Sequence, residues 1–189
     1  MPTYYEGNPV IKIKQVLKRS EFTEFYLVRE SFLSPLHHPK VKAGICLTGA
    51  MILGSLILWN FRRFSTVWTL SCGILAFLLL GIFFLFVQPN IIGRWAEKVF
   101  DSNQLLKLET TISVYRDSVL IENEFESYIE YWIDFERCLE TDQLYLLIGG
   151  FNRSFLIVSK EEMDKSQREL LSTHFSNVFC QRYRKVGRL

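Results

Sequence analysis

Two long apolar runs without a charged residue constrain the fold of this chain more than any other feature. The first, from Ala43 to Phe61, covers 19 positions, and the second contains no Asp, Glu, Lys or Arg from Phe64 to Gly93. At about 1.5 Å per residue, a helix of either length crosses the roughly 30 Å hydrocarbon core of a bilayer. Both runs are apolar on every helical face, and 189 residues leave too little other sequence to bury them. Residues 41–88 are therefore predicted to form a transmembrane hairpin, with helices at about 43–61 and 66–88.

Aromatic and basic residues at the ends of these runs predict their orientation. Trp59, Trp68 and Trp95 are interpreted as interface anchors, because tryptophan prefers the headgroup level. Five basic residues flank the outer ends of the hairpin, against two in the turn between the runs: Arg29, Lys40, Lys42, Arg94 and Lys98 against Arg62 and Arg63. The excess predicts a multi-pass protein of the plasma membrane with both termini in the cytoplasm. Arg94 and Lys98 are then expected to contact the membrane surface.

Residues 1–40 are predicted to be a cytoplasmic segment containing one strand and one helix. Val10 to Val16 alternates apolar residues with lysine, which is typical of a half-buried strand. Ser20 is predicted to cap a helix whose apolar face carries Phe22, Phe25, Tyr26, Phe32 and Leu33. Residues 89–103 are predicted to be a juxtamembrane helix. This helix either lies on the membrane or continues the second spanning helix with a kink at Pro89.

From residue 104 to 180 the apolar period changes to two. Short strands are predicted in LETTISVY, VLIEN, SYIEYWID, LYLLIG and RSFLIV, separated by turn residues that include Gly149 and Gly150. Strands this short and closely spaced favour an antiparallel sheet that curls into a small barrel or sandwich. Ser159 and Glu162 are predicted to form the capping box of a final helix, whose apolar stripe would close the sheet with Met163, Leu170, Leu171, Phe175 and Val178.

The predicted fold class is therefore an α+β membrane protein. It combines the transmembrane hairpin with a cytoplasmic sheet domain capped by a C-terminal helix, an arrangement like that of pleckstrin-homology (PH-like) domains. Charge is segregated in this region: Glu109 to Asp142 holds ten acidic and two basic residues. Residues 181–189 form a basic tail that either contacts an anionic leaflet or stays unattached, and its basic residues are Arg182, Arg184, Lys185 and Arg188.

The order of elements and several strand motifs resemble the YcxB-like proteins, a family of small bacterial membrane proteins with two spanning helices and a cytoplasmic C-terminal domain. The motifs are TISVYRDSVLIENE, the run from Tyr131 to Phe135 and the strand from Leu144 to Ile148. Where the family has Ile-Pro-Lys before the last helix, this chain has Val158-Ser159-Lys160 after Ile157. The resemblance implies a fold and a membrane location. The family has no established activity, so no functional residue is carried over.

The sequence shows no pattern typical of an enzyme. Glu122, Glu124 and Glu126 would share one face of a strand, but nothing apolar shields them, which favours a solvated acidic face. His174 is interpreted as a helix-surface residue, and the His37–His38 pair has no further ligand nearby for a metal. A nucleophile elbow and a glycine-rich phosphate loop are both absent from the sequence. We therefore predict no catalytic residue, no cofactor and no metal site.

Other functional classes are disfavoured by charge. The spanning runs carry no ionisable path for a solute, although Ala50 and Gly54 offer a small-residue face for a homo-oligomer. The acidic folded region would repel nucleic acid. The remaining hypothesis is a non-catalytic, membrane-tethered adaptor that binds a protein partner, with Glu122, Glu124, Glu126, Tyr131 and Trp132 as its surface. Trp132 is either such an anchor or a core residue. The alternatives are an anionic-lipid sensor and an oligomeric accessory subunit of a channel or transporter.

Overall fold

The chain divides into two compact units. The structure is a computed structural model that describes residues 8–33, 38–59, 64–152 and 154–187. One unit, the β-domain, comprises Met1–Phe25 and Val99–Leu189, and the other, the helical unit, comprises Tyr26–Lys98. The predicted segments 1–40 and 104–180 divide the chain differently, because the N-terminal strand belongs to the β-domain. Arg62 and Arg63 of the predicted turn, His37 and Arg188 lie outside the described residues.

Among the described residues, four helices lie before the main run of strands. They are α1 (Arg19–Leu33), α2 (Pro39–Trp59), α3 (Phe64–Ile82) and α4 (Gln88–Ser102), and a π-helical turn (Phe83–Val87) joins α3 to α4. Helix is continuous from Val67 to Ser102 over 36 residues. Of the two alternatives for residues 89–103, the structure therefore shows the continuation. Pro89 has no N–H to donate to the preceding turn, and the wider π-helical turn just before it is the kind of local rearrangement that accommodates such a break.

Small residues allow α2 and α3 to pack closely as an antiparallel pair. A Cβ atom placed on Gly49 would lie 3.0 Å from the Phe77 ring, and one on Gly73 would lie 2.9 Å from the Leu53 side chain. Ala50 is buried within the helical unit. Ala50 of the predicted oligomer face is thus buried within a single copy, whereas a Cβ atom on Gly54 would meet nothing within 4 Å, and the homo-oligomer stays a prediction.

The outer surfaces of α2 and α3 are apolar and exposed. Both helices are long and apolar enough to cross a membrane, judged by length and composition. The side chains of the three predicted anchors, Trp59, Trp68 and Trp95, are all exposed. Trp95 packs edge-on against Tyr26 with their ring centroids 5.0 Å apart. Their role at a membrane interface stays a prediction.

The β-domain contains two four-stranded sheets. The first runs in the order β1-β2-β3-β4, with β1 (Ile11–Val16), β2 (Glu109–Val114), β3 (Ser118–Glu122) and β4 (Ser127–Tyr131). The second runs β7-β6-β5-β8, with β5 (Phe135–Glu140), β6 (Leu144–Gly149), β7 (Phe155–Ser159) and β8 (Tyr183–Lys185). All neighbours are antiparallel except β5 and β8, which are parallel. The strands predicted from period two are present, except that the predicted strand SYIEYWID ends at Tyr131, where the 3-10 turn Trp132–Asp134 begins; β5 and β8 were not predicted.

Chain order gives this domain an unusual connection. Strand β1 pairs with β2 in antiparallel register, so that Ile13 lies opposite Ile112, yet α1 to α4 lie between them in the sequence. Ile11 and Ile13 point into the core and Lys12 and Lys14 into solvent, which confirms the predicted half-buried strand. The apolar helices are therefore inserted into the first connection of a sheet, and both ends of the insertion lead into the β-domain.

Gln15 joins the two sheets across their edges. Gln15 is buried at the end of β1, whereas the neighbouring Val16 is exposed. Its Nε2 donates to the carbonyl oxygen of Ile157 at 2.7 Å, and its Oε1 accepts from the N–H of Ser159 at 2.8 Å. The side-chain amide of Gln15 thus forms the hydrogen bonds with β7 that a neighbouring strand would form. It protects a sheet edge that could otherwise pair with another chain.

A single core lies between the two sheets and the last helix, α5 (Lys165–Phe179). Sheet one contributes side chains such as Ile112, Val119 and Ile121, and sheet two contributes Tyr145, Leu147 and Val158. Helix α5 contributes its buried stripe of Leu171, Phe175 and Phe179. The structure has two separate four-stranded sheets that contribute to this core. The predicted closing helix is confirmed.

The predicted start of this helix is wrong. Asp164 is the N-cap: its Oδ1 accepts from the N–H of Gln167 at 2.7 Å, and Gln167 Oε1 accepts from the N–H of Asp164 at 3.1 Å. Ser159 instead ends β7, and its hydroxyl donates to Glu21 of α1. With the later start, Leu170 faces solvent and Met163 is buried ahead of the helix.

The predicted cap of α1 is also wrong. This helix begins at Arg19, so Ser20 lies inside its first turn. The carboxylate of Glu21 accepts from the N–H of Lys18 at 2.8 Å and supplies the cap from within the helix. The predicted apolar face is confirmed within the β-domain, where Phe22 and Phe25 are buried and Phe25 packs on Phe155 with ring centroids 4.5 Å apart.

Replacing Cys180 by glycine is expected to stabilise the β-domain by about 1 kcal/mol. Cys180 ends α5 with φ 47° and ψ −114°, a conformation that disfavours a side chain and typically costs about 1–3 kcal/mol. Glycine removes this cost, although its greater freedom in the unfolded chain offsets part of the gain. Hydrogen exchange of α5 amides in full-length protein should slow about fivefold. The matched variant Cys180→Ser keeps the strained backbone, so equal slowing in both variants would contradict the explanation.

Candidate recognition cleft

An open cleft of about 400 Å³ lies at one end of the first sheet. Three elements form it: the turn between β2 and β3, the end of β4 with the 3-10 turn Trp132–Asp134, and the last part of α5. Its lining residues are Arg116, Asp117, Tyr131, Trp132, Ile133 and Val178. We call this the recognition cleft.

Trp132 fixes the geometry of the recognition cleft. Its backbone N–H donates to the carbonyl oxygen of Asp117 at 3.2 Å, and its indole Nε1–H donates to the carbonyl oxygen of Tyr115 at 3.1 Å. The side chain is only 3% exposed, and its ring packs edge-on against Phe175 and Phe179 of α5. Trp132 is therefore a core residue that holds the β2–β3 turn, the alternative that the sequence also offered.

The residues on either side of Trp132 face solvent. Tyr131 is 54% exposed and Ile133 is 81% exposed. An aromatic and an aliphatic side chain thus stand beside a rigid core residue at the mouth of the cleft. Tyr131 was predicted as part of the site. Ile133 was not, because it follows Trp132 in a 3-10 turn that the period-two pattern of the sequence does not show.

The acidic part of the predicted partner surface lies elsewhere. Glu122 ends β3, while Glu124 and Glu126 lie in the turn to β4, where Asn123 Oδ1 accepts from the N–H of Phe125 at 2.9 Å and of Glu126 at 2.9 Å. The prediction that the three glutamates share one strand face is therefore wrong. In the β3–β4 pair, Ser118 is opposite Tyr131 and Glu122 is opposite Ser127, so the glutamates lie at the other end of this hairpin from the cleft.

Most of the predicted basic tail is part of the folded domain. Arg182 donates from Nη1 to the carbonyl oxygen of Phe135 at 2.9 Å, and Lys185 Nζ lies 3.7 Å from the carboxylate of Glu140. Arg184 lies in β8 and is exposed. The alternative of an unattached tail is wrong for residues 182–185, because β8 pairs with β5 and Arg182 bonds to Phe135, whereas contact of these residues with an anionic leaflet stays a prediction. Arg94 and Lys98 are exposed on α4.

His174 lies behind Trp132 and is half-buried, which corrects its predicted place on the helix surface. Its ring is 5.9 Å from the Trp132 ring, centroid to centroid. Burial lowers the pKa of His174, while a hydrogen bond with the backbone of Tyr115 and the charge of Asp117 oppose this change. Its Nε2 is buried without a hydrogen-bond partner in the described part of the chain. The neutral imidazole is therefore the form that the fold favours.

The stability of the β-domain is expected to fall as the pH drops below about 6.5, because His174 ionises more readily in the unfolded chain than in the folded one. With a lowered folded pKa, its contribution is fully present above the unfolded value of 6.5 and is lost as the pH falls towards the folded value. The slope is at most about 1.36 kcal/mol per pH unit. The free energy of unfolding, obtained from hydrogen exchange of α5 amides in graded urea at several values between pH 7.5 and 5.5, should show this dependence. His174→Gln should flatten it, and an unchanged slope would contradict the assignment.

Apart from the recognition cleft, a cluster of polar side chains surrounds Glu140 in the second sheet. Glu140 Oε1 accepts from Lys160 Nζ at 2.8 Å, while Oε2 accepts from Ser172 Oγ at 3.0 Å and from the hydroxyl of Tyr183. Lys160 also donates to the carbonyl oxygen of Thr141 at 2.6 Å. Both oxygens of the carboxylate are occupied by donors of the chain itself. This arrangement holds β8 and α5 on the second sheet, and it leaves no carboxylate oxygen facing an open site.

Two further ionisable groups, the thiol of Cys138 and the phenol of Tyr145, are held in their protonated forms. Burial raises the pKa of Cys138 and of Tyr145, and the charge of Glu140 adds to both effects. A protonated, buried thiol is a poor nucleophile. Within the described residues, no group of three or more His, Cys, Asp or Glu side chains could hold a metal ion.

In comparisons with known proteins, no protein family, no curated protein and no solved structure matches the chain.

Proposed function

We propose that the chain is a multi-pass protein of the plasma membrane whose β-domain is a non-catalytic recognition module for a protein partner in the cytoplasm. The observation that carries the proposal is the recognition cleft, where exposed Tyr131 and Ile133 flank the buried Trp132. Large apolar side chains on a rigid support are typical of interface anchors, since little side-chain entropy is lost when they bind.

The membrane part of the proposal rests on the exposed apolar surface of α2 and α3. Side chains such as Leu58, Leu75 and Phe86 are exposed over both helices and the π-helical turn. A contiguous apolar surface of this kind is costly in water and stable in lipid. The five-to-two excess of basic residues outside the hairpin supports cytoplasmic termini.

The fold proposal is a PH-like domain, and it agrees with the resemblance to YcxB-like proteins. Two sheets followed by a helix on a shared core support it. The domain differs from a simple meander because β1 precedes the apolar helices in the chain and β8 follows α5.

Charge indicates the kind of partner. The stretch Glu109 to Asp142 carries ten acidic and two basic residues, and Asp117 and Asp134 are exposed at or beside the cleft. Such a field steers basic partners and raises their association rate. We therefore propose a partner segment that places one apolar side chain between Tyr131 and Ile133 and has basic residues on its flanks.

The recognition role is tested by photo-crosslinking in cells with the full-length protein. A photo-reactive residue at position 133 should capture a single protein. In a separate affinity capture with the full-length chain, Ile133→Ser should lower the amount of this protein by roughly 30-fold, the effect of losing an anchor worth about 2 kcal/mol. Stability should not change, because Ile133 is almost fully exposed.

The matched control is Phe125, which is 71% exposed in the β3–β4 turn, away from the cleft. Phe125→Ser should leave capture unchanged, and a photo-reactive residue there should give a different pattern or none. Equal loss of capture in both variants would contradict the cleft as the binding site. Crosslinks to lipid alone from position 133 would contradict a protein partner.

A further inference from the structure

An apolar groove runs between α2 and α3 on one side of the hairpin, with a volume of about 310 Å³. Its small residues are Ala43, Gly44 and Gly81, and bulkier residues such as Leu47 and Leu78 border it. A Cβ atom on Gly44 would meet nothing within 4 Å, so the space beside this residue is open. Gly81 lies where the two helices approach, since a Cβ atom there would lie 3.6 Å from the Cβ of Cys46, so the open part of the groove is the surface beside Gly44.

The dimensions of the groove suit a single extended chain. Its α2 lining spans Lys40 to Leu47, which is about 10 Å along a helix. Its lining is apolar apart from Lys40 at one end, and the small residues Ala43 and Gly44 leave a channel along α2. An acyl chain lying parallel to α2 fits this shape along its length.

Charge at one end of the groove completes the description. Lys40 lies in the first turn of α2 and is exposed, and its ammonium group has no hydrogen-bond or ion-pair partner among the residues that the structure describes. Lys42, two residues on, is engaged: its Nζ lies 3.5 Å from Gln88 Oε1 and 5.3 Å from the centre of the Phe84 ring. The positive end of the α2 dipole lies beside Lys40 and adds to its attraction for an anion.

We propose that this groove binds one anionic phospholipid, with an acyl chain lying along Gly44 and Gly81 and the phosphate held by Lys40. A phospholipid is the bilayer component that joins a long apolar chain to a negative group, which is the pattern that the groove presents. The inference rests on the proposed membrane location. It is independent of the recognition cleft and of the basic residues of β8.

Native mass spectrometry of the full-length protein in detergent tests this site, with dioleoyl phosphatidylglycerol and dioleoyl phosphatidylcholine as the two probes. The wild-type protein should retain one phosphatidylglycerol and prefer it to phosphatidylcholine. Lys40→Gln should reduce that preference about fivefold, the effect of removing one basic residue near an anionic headgroup. Lys42→Gln is the matched charge control and should keep the preference.

The second pair of variants tests the groove itself. Gly44→Leu fills the open space and should abolish retention of the lipid. Gly54→Leu adds the same side chain to the same helix, again at a position with nothing within 4 Å, but outside the groove, and should retain it. Wild-type retention in Gly44→Leu, or equal loss in both glycine variants, would overturn the proposal. Loss of a dimer mass in Gly44→Leu would instead assign the groove to a second copy.

Failure of this inference is separable from failure of the proposed function. Alkaline extraction of membranes from cells shows whether the protein is integral to the bilayer, whatever occupies the groove. A protein that stays in the membrane fraction and captures its partner but retains no phosphatidylglycerol would refute the lipid site alone. A protein released by alkali would refute the membrane proposal, and the lipid measurement in detergent would still decide the groove.

Discussion

Replacing Trp132 by alanine is expected to lower the free energy of unfolding of the β-domain by about 3–5 kcal/mol, the usual cost of removing a large aromatic side chain from a core. Trp132 contacts Phe135, Phe175 and Phe179, so the truncation leaves a cavity between the sheet and α5. It also leaves the carbonyl oxygen of Tyr115 without the indole donor that fixes the β2–β3 turn.

Hydrogen exchange of β6 and α5 amides in graded urea measures this loss in the full-length protein. Trp132→Phe should cost less than alanine, because it keeps part of the ring packing and loses the N–H. Tyr131→Ala is the matched neighbour: its side chain is more than half exposed, and we expect a change within about 0.5 kcal/mol. If Trp132→Ala left the urea midpoint unchanged while partner capture was lost, the tryptophan would be a surface anchor, and its placement in the core would be wrong.

The hairpin and most strands could be predicted because their signals are local. Thirty uncharged residues from Phe64 to Gly93 indicate a spanning helix whatever surrounds them. Alternation in β1 and β3 likewise records burial on one face of each strand. Trp132 could be assigned to the core on the general preference of tryptophan for burial, without knowledge of its contacts.

Elements fixed by distant contacts could not be predicted. Strand β8 has only three residues, two of them basic, and it exists because it pairs in parallel with β5 from far earlier in the chain. Strand β5 is itself obscured by Glu136 and Arg137 on its outer side. Ser159 has the sequence context of a helix cap, but Gln15 and Glu21 from the N-terminal segment occupy its backbone and its hydroxyl.

Only part of the candidate site could be predicted, because the rest of its geometry depends on contacts that the apolar pattern does not show. Tyr131 and Trp132 stood out by residue type, whereas Ile133 depends on a 3-10 turn that reverses its direction relative to Trp132. The glutamates at 122, 124 and 126 have strand spacing, but Asn123 accepts two backbone N–H bonds and turns the chain between them. A local hydrogen bond of this kind competes with strand pairing and is not visible in the apolar pattern.

Replacing Lys160 by methionine is expected to destabilise the β-domain by about 3 kcal/mol, because it removes one partner of a buried ion pair. The side chains of Lys160 and Glu140 are 8% and 12% exposed, and their charged atoms lie 2.8 Å apart. Methionine fills similar volume but leaves Glu140 as a buried charge without its nearest cation, and breaking such a pair typically costs about 3–5 kcal/mol. The hydroxyl donors of Ser172 and Tyr183 remain, which places the expectation at the lower end of this range.

The double variant Lys160→Met, Glu140→Gln should recover part of the loss, because no unpaired charge then stays buried. Lys185→Met is the matched control: its Nζ is 3.7 Å from the same carboxylate, but the side chain is 70% exposed, and exposed pairs contribute about 0–1 kcal/mol. Exchange of the Val186 amide, which donates to the carbonyl oxygen of Glu140 at 2.7 Å, reports whether β8 is released. If Lys160→Met and Lys185→Met accelerated this exchange equally, β8 would be held by its backbone pairing with β5 and not by the buried ion pair.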